Sequence, residues 1–267
     1  LALTGTDPDR LAEEKRKGMT IDLGFAHCVT PNGTSLSFVD VPGHADFIRT
    51  MIAGVSGVDI AMLIVDAHEG WMPQTQEHLD VLQLLNIRTG VVVITKSDKA
   101  SESELTELEE DIRQRLTDSS IHWTNIMSTS VVTQKGLPEL LQHLSSLLEN
   151  QGPPIHARPT RLFIDRVFTI RGSGTVVTGT LEGESVSIGD VLHVARTGQE
   201  VRVREVQTLD SSVQTCEPRS RCALNIVGVD GSDLHRGDAL MQHQSYLMTS
   251  VIDVRFTAVS TLKRPMT

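Results

Sequence analysis

Leu36-Ser37-Phe38-Val39-Asp40-Val41-Pro42-Gly43-His44 runs an apolar segment into an Asp-x-x-Gly turn, and Phe47, Ile48, Met51 and Ile52 follow at helical spacing. The pattern predicts a strand, a tight turn and a helix. An aspartate at the carboxyl end of a core strand is placed to hold a metal-bound water. A glycine three residues later lets the backbone approach a terminal phosphate closely and donate an N–H to it. That is the chemistry of a nucleoside-triphosphate switch. An ordinary strand-to-helix connection can carry the same four residues, so the weight of the turn depends on what surrounds it.

Three further motifs stand in the required order. Lys17-Gly18-Met19-Thr20-Ile21 lies upstream in a polar, charged stretch, where the Thr20 hydroxyl can complete a metal's coordination. Downstream, Val91-Val92-Val93-Ile94 ends in Thr95-Lys96-Ser97-Asp98. An aspartate at that strand end can accept from both N1–H and the exocyclic amine of guanine, a donor pair that adenine lacks, while the Lys96 stem covers the base face. Met127-Ser128-Thr129-Ser130-Val131 closes another strand, where a backbone N–H can meet the guanine oxygen. Each motif is weak alone; four in order at strand ends are not.

The pattern around them is α/β. Strands are predicted at 36–40, 58–66, 90–96 and 124–128, and helices at 44–53, 74–86, 102–116 and 137–149. Alternation of this kind, with apolar runs such as Ile60–Val65, implies a parallel sheet covered on both faces, with ligands beyond the carboxyl ends of its strands. After Glu149-Asn150-Gln151-Gly152-Pro153-Pro154 the pattern changes to short strands and Gly-rich turns: Leu162–Ile170, Thr175–Leu181, Val191–Val194, Val201–Val206 and Cys222–Val227. Even spacing without helices predicts a small β-barrel. The expected division is therefore an incomplete nucleotide-binding domain over 1–150, a linker over 151–158, a barrel over 159–246 and the start of a second barrel over 247–267, opened by a strand at Val251–Phe256.

Composition narrows the classes. At 267 residues the chain has room for two domains, and no run of eighteen apolar residues or signal peptide appears. The net charge of −10 argues against gripping nucleic acid by bulk electrostatics, and leaves local basic clusters such as Arg158, Arg161, Arg166 and Arg171. Cys28, Cys216 and Cys222 have no metal spacing and read as reduced thiols of a cytoplasmic protein. His27, His68, His78 and His122 form no ligand set, and the acidic run Glu102–Asp111 reads as an exposed helix face.

With the four motifs in place, the chain resembles the translational GTPases of the elongation-factor class and, within it, the bacterial selenocysteine-specific elongation factors. The likeness runs over essentially all 267 residues and is densest at Leu3–Leu11, Gly18–Ala26 and Met72–Leu79. The class usually opens its guanine motif with Asn, but a threonine such as Thr95 is familiar in this subfamily. The resemblance implies GTP or GDP and Mg2+ as cofactors. It also implies a cytoplasmic factor that delivers selenocysteinyl-tRNA to the ribosome and hydrolyses GTP on codon recognition. Asp40, Val41, Pro42, Gly43, His44, Thr95, Lys96, Ser97, Asp98, Ser130 and Val131 would then contact GTP. Thr20 and, through water, Asp40 would hold the metal. His44 falls at the class's water-orienting position, as base or as imidazolium; the other reading is a histidine packed on its own helix turn. A selenoprotein mRNA hairpin would be bound through a carboxyl-terminal region that this chain does not include. No membrane partner is implied.

The resemblance also aligns Ile164-Asp165-Arg166-Val167-Phe168 with a segment that has two consecutive acids in the general elongation factor, the second replaced here by Arg166. Arg221 falls where the general factor has an asparagine. Asp165, Arg166 and Arg221 would line the amino-acid pocket, with Phe168 on the terminal adenosine or in the barrel core. Added positive charge suits a selenol, which is largely ionised at neutral pH, over neutral serine and over a thiol titrating near about 8.5. Solvated surface arginines are the other reading.

One expected element is missing from the sequence. The class carries G-x-x-x-x-G-K-[ST] a few residues before the point where this chain begins, and nothing here matches it. The chain is accordingly expected to be a fragment of a longer protein and inactive by itself, with a natural pseudo-GTPase as the other explanation. Two other functions fit the same residues: a general aminoacyl-tRNA carrier or initiation-type GTPase, and a non-catalytic binding module that retains the fold.

Overall fold

The computed structural model describes residues 1–8, 12–17, 20–30, 32–44, 47, 50–52, 57–150, 159–170, 174–242, 249 and 251–254. A short helix α1 (Ala12–Lys17) leads into an antiparallel pair, β1 (Gly24–Val29) and β2 (Ser35–Asp40). Their register sets Gly24 opposite Asp40. Then come β3 (Ile60–Asp66), α2 (Pro73–Leu84), β4 (Thr89–Thr95), α3 (Glu102–Leu116), β5 (His122–Ser128) and α4 (Leu137–Glu149). β3, β4 and β5 form a parallel sheet in that order.

Both faces of this sheet are packed. Leu79 and Leu82 of α2 and Ile112 and Leu116 of α3 meet Leu63, Val65, Val92 and Ile94 on one side. Leu140 and Leu144 of α4 meet Val91, Val93 and Leu36 on the other. Burying each such side chain contributes about 1.5–3 kcal/mol. α3 starts sharply because Ser101 and Glu104 form a reciprocal capping box, so its predicted and observed limits coincide. The run Ile60–Val65 is less buried than expected: Ile64 is 47% exposed, because β3 pairs only with β4 among the described residues. The helix predicted over 44–53 falls mostly outside the described residues, within which 50–52 are helical.

The second part is an antiparallel barrel. Its strands are β6 (Arg161–Phe163), β7 (Arg166–Ile170), β8 (Gly174–Glu182), β10 (Val191–Val194), β11 (Glu200–Thr208), β12 (Ser211–Val213), β14 (Arg221–Val227) and β15 (Ala239–Met241), while β9 (Val186–Ser187) and β13 (Thr215–Cys216) pair with each other as a separate ribbon. The order β10-β15-β6-β8-β14-β11 closes through a β10–β11 pairing, and β7 lies along β8. Val177, Leu181, Val203, Val206, Leu224 and Leu240 fill the interior. The strand predicted as Leu162–Ile170 is broken at Ile164 and Asp165. Ile164 donates its N–H to Asp238 and Asp165 to Thr178, so the chain switches partners there. Residues 251–254 form no strand, and 255–267 lie outside the described residues. The proposed linker, 151–158, also lies outside them.

Candidate functional site: a nucleotide face and an arginine cluster

Asp40 ends β2, and its pairing with Gly24 brings the loop that carries Thr20 to the same end of the β1–β2 ribbon. Pro42 is buried and His44 exposed, with its ring 6.1 Å from that of Phe47. The turn has a support the sequence did not suggest: His78 of α2 lies with Nε2 3.0 Å from the Gly43 carbonyl oxygen. A hydroxyl and a carboxylate are the oxygen donors that a hard divalent cation such as Mg2+ takes. Among the described residues, no group of three or more His, Cys, Asp or Glu side chains converges on a metal.

The base side is built at the ends of β4 and β5. The Thr129 N–H donates to Ile94 at 2.7 Å, and the Ser97 N–H donates to Thr129 at 3.1 Å. The Ser130 hydroxyl donates to Asp98 Oδ1 and accepts from the Thr133 N–H at 3.1 Å. Ser130 is fully buried, so the Asp98 carboxylate is oriented from within. The Ser130 N–H donates to the Lys135 carbonyl at 3.0 Å, and Val131 stands exposed beside it. Gly136 begins α4 at φ +76°, and a Cβ there would lie 2.2 Å from the Ser128 carbonyl oxygen, so only glycine fits. Lys96, in left-handed backbone, forms an ion pair with Asp66 at 2.5 Å. Burial pushes the Asp66 carboxyl up, but Lys96 and the N–H groups of His68 and Glu69 outweigh it and hold the pKa below the ordinary value. The lysine stem expected to cover the base is thus anchored at its tip on β3.

Asp165, Arg166 and Arg221 come together, and neither arginine is a solvated surface residue. Arg221 donates from Nε and Nη2 to the two Asp165 oxygens at 3.2 and 3.0 Å, and from Nη2 to the Thr178 hydroxyl at 3.1 Å. Its side chain is 23% exposed. The Phe25 ring of β1 lies under both guanidiniums, with Cζ of Arg221 3.5 Å and Cζ of Arg166 5.1 Å from its centroid. Arg166 also donates to the Leu23 carbonyl. The cluster therefore sits on the seam between the two parts of the chain. The same seam holds an ion pair of Arg219 with Asp59 at 3.2 Å, where burial pushes the Asp59 carboxyl up against the opposing pull of Arg219. Gly57 completes it, since a Cβ there would meet Thr180 at 2.5 Å.

Phe168 is 43% exposed and shares a face of β7 with Arg166 and Ile170. Beyond it, Ile170, Val176, Glu205, Gln207, Ala223 and Asn225 line a cavity of about 180 Å3. Asn225 Oδ1 is buried and has no hydrogen-bond partner among the described residues. Of the other basic residues singled out, Arg161 is committed to Glu182 at 2.7 Å, and Arg158 and Arg171 lie outside the described residues. All three cysteines are unpaired. Phe25, Asp66, His78 and Thr178 were missed by sequence reasoning, because each acts through a contact distant in sequence.

Comparison with known proteins places these features. The family profile of the Elongation factor Tu GTP binding domain matches residues 4–150. The chain is 37% identical over 265 residues to the selenocysteine-specific elongation factor of Desulfomicrobium baculatum, spanning 99% of this chain and 42% of that protein. It is 39% identical over 241 residues to the Escherichia coli (strain K12) factor of the same name, spanning 90% and 39%. Among solved structures, a bacterial selenocysteine-specific elongation factor superposes with a TM-score of 0.87 at 37% identity, over 92% of this chain and 42% of that one. The translation elongation factor SelB of Methanococcus maripaludis, in complex with the GTP analogue GppNHp, gives 0.78 at 33% identity, over 85% and 50%. The chain thus spans about two-fifths of the length of the curated relatives first matched. It belongs to the family of the elongation factor Tu GTP-binding domain.

Proposed function

We propose that this chain is the guanine-nucleotide and aminoacyl-reading part of a factor that carries selenocysteinyl-tRNA to the ribosome and hydrolyses GTP there. The observation that carries the reading is the arginine cluster. Two guanidiniums set on one aromatic ring, one with its fork held by a carboxylate, keep positive charge in a fixed place where an anionic side chain could meet it. A selenolate fits that chemistry; a serine hydroxyl does not. Along the same face of β7, Phe168 would meet the terminal adenosine. The cavity next to it offers Asn225 Oδ1 as an acceptor for a base amine.

On the nucleotide face, Asp98, oriented by Ser130, reads the guanine edge. Thr20 and, through a water, Asp40 would hold Mg2+, which would neutralise charge on the phosphates. The Gly43 N–H reports the terminal phosphate, and His44 orients the attacking water. The β- and γ-phosphates would be cradled by a G-x-x-x-x-G-K-[ST] segment of the kind the class carries. Partners in this reading are the ribosome and an mRNA hairpin bound by a region outside this chain; the setting is the cytoplasm. No helix among the described residues is long and apolar enough to cross a membrane.

Arg221→Ala in the full-length, GTP-bound factor tests the reading. Loss of a charge-assisted contact worth about 1.5–3 kcal/mol weakens selenocysteinyl-tRNA roughly tenfold or more, and leaves the same tRNA charged with serine nearly unchanged. Equal losses for both place Arg221 on the tRNA body. No selenocysteine preference in the unmutated factor leaves the general-carrier reading ahead.

A further inference from the structure

Lys96 is the strained residue of the Thr95–Asp98 motif. Its backbone is left-handed, φ 56° and ψ 34°, which a residue with a Cβ takes at a cost and keeps only where its surroundings hold it. Its side chain is 55% exposed, with open solvent on hand, yet the ammonium ends 2.5 Å from Oδ2 of Asp66. Asp66 closes β3 and pairs in register with Thr95, the residue before the lysine.

Asp66 is itself held. Its Oδ1 accepts from the N–H groups of His68 at 2.8 Å and Glu69 at 3.3 Å, and its carbonyl accepts from Gly70 at 2.9 Å. The Ala67 N–H donates to the Thr95 carbonyl at 2.9 Å, which fastens this turn to the motif. One carboxylate oxygen thus builds the turn, and the other is left for the lysine. An ion pair with one partner so exposed adds little stability. What it fixes is direction. A free lysine stem samples many rotamers and covers a flat ring only part of the time; a stem pinned at its backbone and at its ammonium has a single course.

We propose that Asp66 is a positioning residue of the base site, holding the Lys96 stem across the face of guanine while Asp98 reads its edge. Ser130 sets the carboxylate at one end of the motif, and Asp66 sets the lysine at the other. The Asp66 carboxylate offsets the charge of the ammonium, so Lys96 acts through its methylenes. It serves the base, which GTP and GDP share, and not the phosphates, in which they differ. Asp66 therefore sets the affinity for both nucleotides together and leaves the choice between them to the turn at Asp40–His44.

This inference rests on the guanine-nucleotide reading given above, and one set of measurements separates the two. Affinities for GTP, GDP and XTP are measured by calorimetry for the full-length factor, for Asp66→Asn, for Lys96→Met and for the double variant. The asparagine oxygen keeps the bonds from His68 and Glu69, but its amide nitrogen cannot hold an ammonium, so the turn survives and the tether does not. Asp66→Asn weakens GTP and GDP by the same factor, about tenfold, and leaves the preference for guanine over xanthine unchanged. In the Lys96→Met background the same substitution costs less than about twofold more. Additive losses overturn the proposal, because Asp66 then acts on something other than Lys96. A larger loss for GTP than for GDP also overturns it, by placing the lysine on the phosphates. Coupling that appears in the thermal midpoint of the nucleotide-free protein but not in the affinities makes the pair a structural one, with the same consequence. An unmutated factor that binds adenine nucleotides as tightly as guanine nucleotides sinks the functional reading, and the role of Asp66 with it.

Discussion

His78, in the middle of α2, donates from Nε2 to the carbonyl oxygen of Gly43 across 3.0 Å, joining two segments 35 residues apart in sequence. The bond holds the peptide unit that would face a terminal phosphate. His78→Ala should lower GTP affinity relative to GDP by roughly threefold to tenfold, the worth of one hydrogen bond, without changing guanine selectivity. His78→Gln, which retains a donor, should recover part of it. Titration with fluorescent GTP and GDP analogues checks this; an unchanged ratio would remove His78 from the switch.

His44 stands exposed on the same turn. In the full-length protein, His44→Ala should bind GTP nearly normally and hydrolyse it on the ribosome at least about a hundredfold more slowly, the scale of a general acid–base or water-positioning contribution. A change in kcat without one in binding is the signature of lost transition-state positioning. Wild-type stimulated hydrolysis would exclude the role, and failure to bind GTP would make His44 a packing residue of its own turn.

The Asp98–Ser130 hydrogen bond connects the base-reading carboxylate to a fully buried hydroxyl. Asp98→Asn should shift preference from guanine toward xanthine, because the amide cannot accept from both guanine donors; the mismatch costs about 1–3 kcal/mol. Ser130→Ala should weaken GTP and GDP together, by roughly fivefold, without gaining XTP, since it frees the carboxylate to rotate without changing its charge. Competition between GTP and XTP distinguishes the two variants, and equal behaviour would break the link between the residues.

Asp238 lies where β15 begins and accepts from Arg196 at 2.8 and 2.9 Å and from the His235 N–H at 2.9 Å. The Arg196 guanidinium holds its carboxyl below the usual range, against the upward push of burial, and the His235 N–H assists. The folded pKa is thus below the unfolded value of about 3.9. The stabilisation is present above that value and is lost as pH falls through the folded one. Asp238→Asn should lower the thermal midpoint by a few degrees at neutral pH and flatten its decline below about pH 4. Parallel acid profiles for the two proteins would show that the pair contributes nothing to acid sensitivity.

What was legible in the sequence is what local chemistry decides. α3 matched to the residue because Ser101 and Glu104 cap it, and β4, predicted over 90–96, is found one residue earlier because Val91–Ile94 is an unbroken apolar run. β1 was missed: Gly24-Phe25-Ala26-His27-Cys28-Val29 has no clean alternation and becomes a strand by pairing with β2. The break at Ile164–Asp165 depends on Asp238 and Thr178, both distant in sequence. Motif order was enough to bring Asp98 and Ser130 to neighbouring places at the ends of β4 and β5. It could not show that the Lys96 ammonium is held by Asp66, or that Asp22 meets an arginine 214 residues away.

The bare side of β3 has a practical bearing on how this polypeptide behaves in a tube. From Ile60 to Asp66 its peptide groups face a ladder on the β4 side alone among the described residues, and Ile64 stands in solvent. Such an edge accepts any extended segment of matching alternation, including the same edge of another molecule. Light scattering over a concentration series, with and without a short β-branched peptide that can occupy the row first, reads whether that strand pairs between molecules.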